Sequence, residues 1–229
     1  TNDWYGGMRP GDNLFAESLV CVDAETGQRV WHFQAVHHGL WDYDFPTHPN
    51  LIDINVDGRE IKAIAQVSKQ GFTYVFDRVT GDPVWPIEER SVPASIVPGE
   101  QLSDTQPFPT RPAPFDYQGV TIDDLVDFTP EIRTMAIEAI EPFRIGPMYT
   151  PHSQRGTIFR PGSSAGSWSG AAVDPETGVL YVPSTNQFAV KQFREPEPGE
   201  DASLRFIERR GSARPQMPPG LPLFKPPYS

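Results

Sequence analysis

Hydrophobic and polar positions along this chain alternate in short bursts separated by turn residues, the pattern of half-buried strands. Leu19-Val20-Cys21-Val22-Asp23 reads as a strand, Ala24-Glu25-Thr26-Gly27 as a turn, and Gln28 to Phe33 as the returning strand. Leu51 to Val56 and Glu60 to Ser68 form a second hairpin around Asp57-Gly58, a pair suited to the tight turn in which both residues take positive φ. Lys69-Gln70-Gly71 turns the chain into Phe72 to Asp77, and a further strand is expected through Trp85. Strand-like pieces return at Gly156 to Phe159, Trp168 to Val173 and Val179 to Pro183.

Residues 86–128 depart from this rhythm. Pro107, Pro109, Pro112 and Pro114, followed by Asp123, Asp124 and Asp127, predict an ordered surface excursion and not another blade. Thr129-Pro130-Glu131 then carries the signature of a helix start, and Ile132, Met135, Ala136 and Ile140 recur at helical spacing, predicting one short helix that buries this stripe before Pro142.

A turn recurs. Asp23, Thr26, Gly27 and Trp31 are matched by Asp77, Thr80, Gly81 and Trp85, 54 residues later, and Asp174, Thr177 and Gly178 repeat the turn with Val182 in the tryptophan's place. That spacing is of the order of one propeller blade, and a four-stranded unit from Leu51 to Trp85 is what a blade requires. The repeated Trp is expected to pack between neighbouring blades.

Composition narrows the function classes. A formal charge of −11, with basic residues gathered only around Arg205 to Arg214, disfavours nucleic acid. The single cysteine, Cys21, excludes an internal disulfide and a cysteine-based zinc site. No apolar run is long enough to span a bilayer, and the first residues lack the pattern of an export signal. The chemistry concentrates in His37-His38-Gly39-Leu40-Trp41-Asp42-Tyr43-Asp44, where two imidazoles, two aromatics and two carboxylates follow a strand.

This octet, together with Trp31-His32-Phe33-Gln34, Lys69-Gln70-Gly71-Phe72, the Asp-x-x-Thr-Gly-x-x-x-Trp turns, and Thr150-Pro151 followed by Pro161-Gly162, resembles the pyrroloquinoline quinone (PQQ)-dependent dehydrogenases, in particular their membrane-type glucose-dehydrogenase-like branch. The resemblance implies an all-β fold: a segment of an eight-bladed quinoprotein β-propeller, three to four blades' worth, with residues 1–229 part of a single PQQ-binding domain and residues 86–150 a loop and helix insertion between blades. It also implies PQQ-dependent oxidation of a glucose-like sugar or an alcohol, with a calcium ion beside the cofactor, a periplasmic location, and ubiquinone or cytochrome c as electron acceptor.

The family's catalytic base falls on Asp42, which would also contact calcium, and its quinone-contacting lysine falls on Lys69, 27 residues later. Thr1 or Asn2 falls at the calcium site, and Trp168 and Ser167 at the cofactor. The chain departs from the family in two places: Gly39 stands where relatives commonly carry aspartate, and Ser164-Ala165-Gly166-Ser167-Trp168 replaces Gly-Gly-Ala-Asn-Trp, putting Ser167 in place of an amide. His37 and His38 are expected to be framework residues. The rival expectation is a cofactor-free propeller serving as a scaffold for protein assembly, which would have no reason to retain both Asp42 and Lys69.

Overall fold

The computed structural model describes residues 3–162, 165–200, 203–211 and 213–226. The chain runs through β1 (Ser18–Val22), β2 (Arg29–Gln34), β3 (Asn50–Val56), β4 (Arg59–Val67), β5 (Thr73–Asp77), β6 (Ile87–Ser91), β7 (Thr105–Pro109), α1 (Pro130–Ile140), β8 (Thr157–Phe159), β9 (Ala172–Asp174), β10 (Val179–Tyr181), β11 (Ala189–Lys191), β12 (Phe193–Arg194) and β13 (Ile207–Glu208). Every pairing between these strands is antiparallel: β1 with β2, β3 with β4 and β4 with β5, β6 with β7, β8 with β11, β9 with β10, and β12 with β13.

The three Asp-Thr-Gly turns share one construction. Asp23 Oδ1 accepts from the backbone of Glu25 and Thr26, Asp77 Oδ1 from Val79 and Thr80, and Asp174 Oδ1 from Glu176 and Thr177. Each turn closes by a bond from the glycine N–H to the aspartate carbonyl, at 2.8 Å in all three. The glycine φ angles are 70°, 81° and 71°, a left-handed region where a side chain is strained.

The repeats also dock on one another. Trp31 lies against the second turn, its indole N–H donating to Arg78 O at 3.2 Å. A Cβ on Gly81 would fall 2.6 Å from Trp31 Cγ, so this turn requires glycine for its conformation and for its neighbour alike. Trp31→Ala in the full-length protein should cost about 3–5 kcal/mol, the usual range for emptying a core tryptophan site, read as a lowered denaturant midpoint.

The sheet β3-β4-β5 is the most blade-like unit. Its hairpin turns at Asp57 (φ 53°) and Gly58 (φ 81°), as Asp-Gly requires. The fourth segment reaches it only through a bridge between Phe76 and Pro83, continued by Val84 N–H to Val75 O at 2.9 Å, so the expected outer strand is reduced to a contact. Proline at 83 cannot donate to the ladder. The strand expected from Trp168 likewise begins only at Ala172.

The excursion at residues 86–128 is built on a hairpin: β6 and β7 pair in register from Ile87↔Pro109 to Ser91↔Thr105. Pro107 and Pro109 alternate on β7, which has β6 as its strand partner, so their missing N–H groups face away from the ladder. The hairpin is tied to the body through Gln106, a fully buried side chain that accepts from His37 N–H (2.8 Å) and donates to His37 O (2.7 Å). In α1 the Thr129 cap accepts from Ile132 N–H, and Pro130 opens the helix as predicted, but Met135 is exposed. The buried stripe is Ala136 and Ile140, flanked by Ile132 and Ala139. Thr129→Ala should cost about 1 kcal/mol, measured by thermal unfolding.

The main core joins Trp31, Leu40, Trp41, Tyr43, Phe72, Tyr74, Phe76, Met148, Tyr149 and Phe159. Beside it His152 is fully buried, its ring centroid 4.7 Å from that of Phe159 and 5.5 Å from that of Trp4. Burial pulls its pKa down to about 3, with Lys191 adding to the effect. Folding therefore favours the neutral imidazole, and stability present above the unfolded value of about 6.5 drains away as pH falls towards 3. His152→Leu should flatten that part of the stability profile, measured by urea unfolding between pH 7 and 4.

Candidate active site

Burial alternates through the irregular segment at the centre of the site. Trp41 and Tyr43 are 1% exposed, stacked at 6.2 Å and 17°, and both meet Tyr149 edge-on, while Asp42 and Asp44 are half-buried. Trp41 Nε1 donates to Thr150 O at 3.0 Å and Tyr43 Oη to Pro161 O at 2.8 Å, so the aromatic pair is held by hydrogen bonds as well as by packing. The carboxylates of Asp42 and Asp44 both reach Lys69.

Lys69 comes to them on the tight turn after β4. Gly71, at φ 80°, closes this turn with its N–H on Ser68 O, and Ser68 N–H returns to Phe72 O. Gln70 anchors it in the core, donating to Ala35 O and Tyr149 Oη. Lys69 Nζ lies 2.8 Å from Asp42 Oδ1 and 2.6 Å from Asp44 Oδ1, with its own side chain only 6% exposed. Asp42 has a φ of 57°, a conformation that aspartate tolerates better than most residues but which still stores strain.

The charges in this cluster do not balance. Burial raises the Asp42 pKa and Lys69 opposes it by hydrogen bond and charge, while Asp44 and Asp3 push it further up; the net direction is upward, with burial the largest cause. Lys69 is pulled down by burial, and the two carboxylates more than offset this, so it stays protonated.

The 165–170 loop brings Trp168 over this cluster. Gly166 seats the loop on the Lys69 turn, where a Cβ would fall 2.8 Å from Ser68 O. The loop closes with Gly170 N–H on Ser167 O. Ser167 is half-buried, and Trp168 is 76% exposed, with its ring centroid 5.6 Å from Lys69 Nζ. Asp42, Lys69 and Trp168 therefore come together, with Ser167 beside them. Thr1 and Asn2 lie outside the described residues. Among the described residues, no group of three or more His, Cys, Asp or Glu side chains is arranged to hold a metal ion.

The histidines serve the framework. His37 is taken up by Gln34 and Glu89, both at 3.1 Å, and the buried His38 donates from Nδ1 to Gly11 O at 2.6 Å. Two groups went unrecognised in the sequence. Asp44 shares Lys69 with Asp42, a partnership that the i, i+2 spacing signals. Glu17 comes from the turn before β1, and a Cβ on residue 39 would collide with its carboxylate, so Gly39 makes room for an acid from elsewhere. Burial pushes the Glu17 pKa up to about 7 against the pull of Arg9, with Asp44 adding to the rise. No local motif announces that contact.

Comparison with known proteins identifies the family. The chain is 35% identical over 209 residues to the quinoprotein glucose dehydrogenase of Gluconobacter oxydans, covering 87% of this chain and 25% of that protein. It is 36% identical over 191 residues to quinoprotein glucose dehydrogenase A of Acinetobacter calcoaceticus, covering 80% and 24%. The chain thus spans about a quarter of the length of these relatives. In fold it is similar to the quinohemoprotein alcohol dehydrogenase of Comamonas testosteroni (TM-score 0.51, 22% identity, 83% of this chain and 23% of the other). It is also similar to a europium-containing methanol dehydrogenase (TM-score 0.55, 20% identity, 90% and 29%). With the glucose/ethanol/alcohol dehydrogenase β-propeller model of the PQQ class matching residues 1–229, the chain belongs to the PQQ-dependent dehydrogenase family and is a segment of its propeller.

Proposed function

We propose that the full-length protein is a PQQ-dependent dehydrogenase that oxidises a CH–OH group of a glucose-like sugar or an alcohol, and that Asp42 is its base. The observation that carries this reading is the meeting of a carboxylate, an ammonium and an exposed indole at one place: Asp42, Lys69 and Trp168. These residues fit a flat, anionic quinone. The Trp168 face offers a stacking surface and the Lys69 ammonium a counter-charge. When bound, PQQ supplies the hydride acceptor.

The chain's own residues do the rest. Asp42 accepts the hydroxyl proton, and its raised pKa makes it a stronger base than an ordinary surface aspartate. Lys69, kept charged by Asp42 and Asp44, stabilises negative charge on an oxygen beside it. Ser167 offers a hydroxyl where its relatives have an amide, so it supplies one donor on a shorter side chain. Calcium, a hard cation that takes oxygen ligands, would use Asp42 together with Thr1 or Asn2. Two of the relatives are named as glucose dehydrogenases, which favours a sugar. Residues 86–150 would form a loop and helix insertion between blades. Electrons would pass to ubiquinone or cytochrome c in the periplasm; among the described residues no helix is long and apolar enough to cross a membrane.

The test is a PQQ titration of the full-length protein, followed through its tryptophan fluorescence, and then dye-linked oxidation of glucose and simple alcohols with and without calcium. Saturable binding and PQQ-dependent turnover are expected. Absence of PQQ binding in the intact protein would overturn the proposal and turn the search to a scaffold propeller.

A further inference from the structure

Gln70 is fully buried, and its amide is only half used. Nε2 donates to Ala35 O at 3.1 Å and to Tyr149 Oη at 2.9 Å, while Oε1 is buried without a partner. A backbone carbonyl cannot donate, so the contact with Ala35 fixes which way round the amide sits. A core amide with an idle acceptor is less favourable there than an apolar side chain of similar size, so the two bonds from Nε2 need a reason.

Both bonds lead to the segment that carries Asp42. Ala35 follows β2 directly and stands at the entrance to the octet. Tyr149 stands behind it, its ring edge-on to Trp41 at 5.2 Å and to Tyr43 at 6.0 Å, the two aromatics on either side of Asp42 in sequence. Tyr149 is itself a fixed post: it is 1% exposed, its φ is 62°, and the following Thr150 N–H is held on Pro147 O at 3.1 Å. On the other side of Gln70, Lys69 N–H meets Asp44 O at 3.3 Å and the ammonium meets both carboxylates.

We propose that Gln70 is a positioning residue for this site: through Ala35 and Tyr149 it fixes the Lys69 turn to the segment bearing Asp42, and so holds the ammonium at the base. The proposal rests on the reading of Asp42 as that base. Gln70 lies behind the turn and acts through Lys69. Without its two bonds the turn keeps only its outer ties, Phe115 N–H to Gly71 O at 2.9 Å and Gln118 Nε2 to Gln70 O at 2.8 Å, and its core side is released. Lys69 then has more freedom to leave Asp42, whose other charged neighbours, Asp44 and Asp3, are both anionic.

The test measures acetylation of Lys69 by acetic anhydride in the full-length protein without PQQ, with peptide mass spectrometry reading each lysine. Acylation takes the neutral, accessible amine, so a lysine held against two carboxylates with 6% of its side chain exposed reacts slowly. Gln70→Met should raise the Lys69 rate about 10-fold, the scale of a lost buried hydrogen bond. Lys191, paired with Glu208 at 2.6 Å and 18% exposed, should keep its rate. Tyr149→Phe keeps the ring and loses only the hydroxyl; it should raise the Lys69 rate about 3-fold, and it carries the test if Gln70→Met does not fold. With PQQ and substrate, kcat of Gln70→Met should fall about 10-fold, the scale of a modest misplacement. Its acid limb should move to higher pH, because Asp42 loses part of the Lys69 charge that opposes its raised pKa. An unchanged Lys69 rate in a folded variant overturns the proposal. So does a rise shared by Lys69 and Lys191, which marks general loosening, or an acid limb that stays in place. The labelling needs no PQQ, so this inference and the dehydrogenase reading fail separately.

Discussion

Asp42→Asn in the full-length protein is expected to lower kcat by about 10²- to 10⁴-fold while leaving the fold intact. The amide is isosteric and retains an oxygen for Lys69, which also keeps Asp44 at 2.6 Å. What disappears is the proton acceptor, and a general base is typically worth that factor. The wild-type pH profile supplies an independent check. Because burial, Asp44 and Asp3 raise the Asp42 pKa, activity should rise with pH through a limb lying above the ordinary carboxylate value of about 3.9. The variant's residual rate should lack that limb. A variant that keeps wild-type kcat would remove Asp42 from the mechanism, whatever the cofactor.

Much of the fold could be read from local chemistry, because the residues that dictate it are neighbours. Asp57-Gly58 dictates a turn in which both residues have positive φ, the Asp-Thr-Gly sets tie their own backbones, and Thr129-Pro130 starts a helix. The meeting of Asp42 with Lys69 was legible for a different reason: it rests on family resemblance, with the tight turn at Gly71 delivering the lysine. Features set by distant contacts were hidden. Prolines at 107 and 109 suggest a loop, yet β7 forms because its N–H groups can point away from β6 and because Gln106, between them, finds the His37 backbone. Met135 fits the helical stripe by spacing but falls outside it, because the burying surface is centred on Ala136 and Ile140. The acid over Gly39 comes from residue 17, and nothing in the octet specifies it.

Lys69→Met is expected to be the most disruptive single change at the site. It removes the one ammonium that both Asp42 and Asp44 reach, and it leaves two carboxylates facing each other with a buried methionine between them. Breaking a buried pair costs about 3–5 kcal/mol; here about 2–4 kcal/mol is expected, because the carboxylate side chains are 31% and 37% exposed and solvent screens them. The pH dependence has a definite sign. In the wild type the folded Lys69 pKa is raised, so its contribution is complete below the unfolded value of about 10.4 and is lost only as pH rises through the folded value. In the variant, Asp42, already raised by burial, loses the ammonium that opposed that rise, and two neighbouring negative charges are left without a counter-charge. Their penalty is therefore absent in acid and develops as pH rises through the carboxylate range. The gap between wild type and variant should be smallest near pH 4, grow to a plateau by neutrality and close again only in strong alkali. Adding Asp42→Asn and Asp44→Asn to Lys69→Met should recover most of the lost stability at pH 7 without recovering turnover. That outcome would separate the electrostatic cost of assembling the site from the chemistry the site performs. A gap that is flat from pH 4 to 8, measured by urea unfolding, would mean that Lys69 is held by packing alone and that its carboxylate partners contribute nothing to the fold.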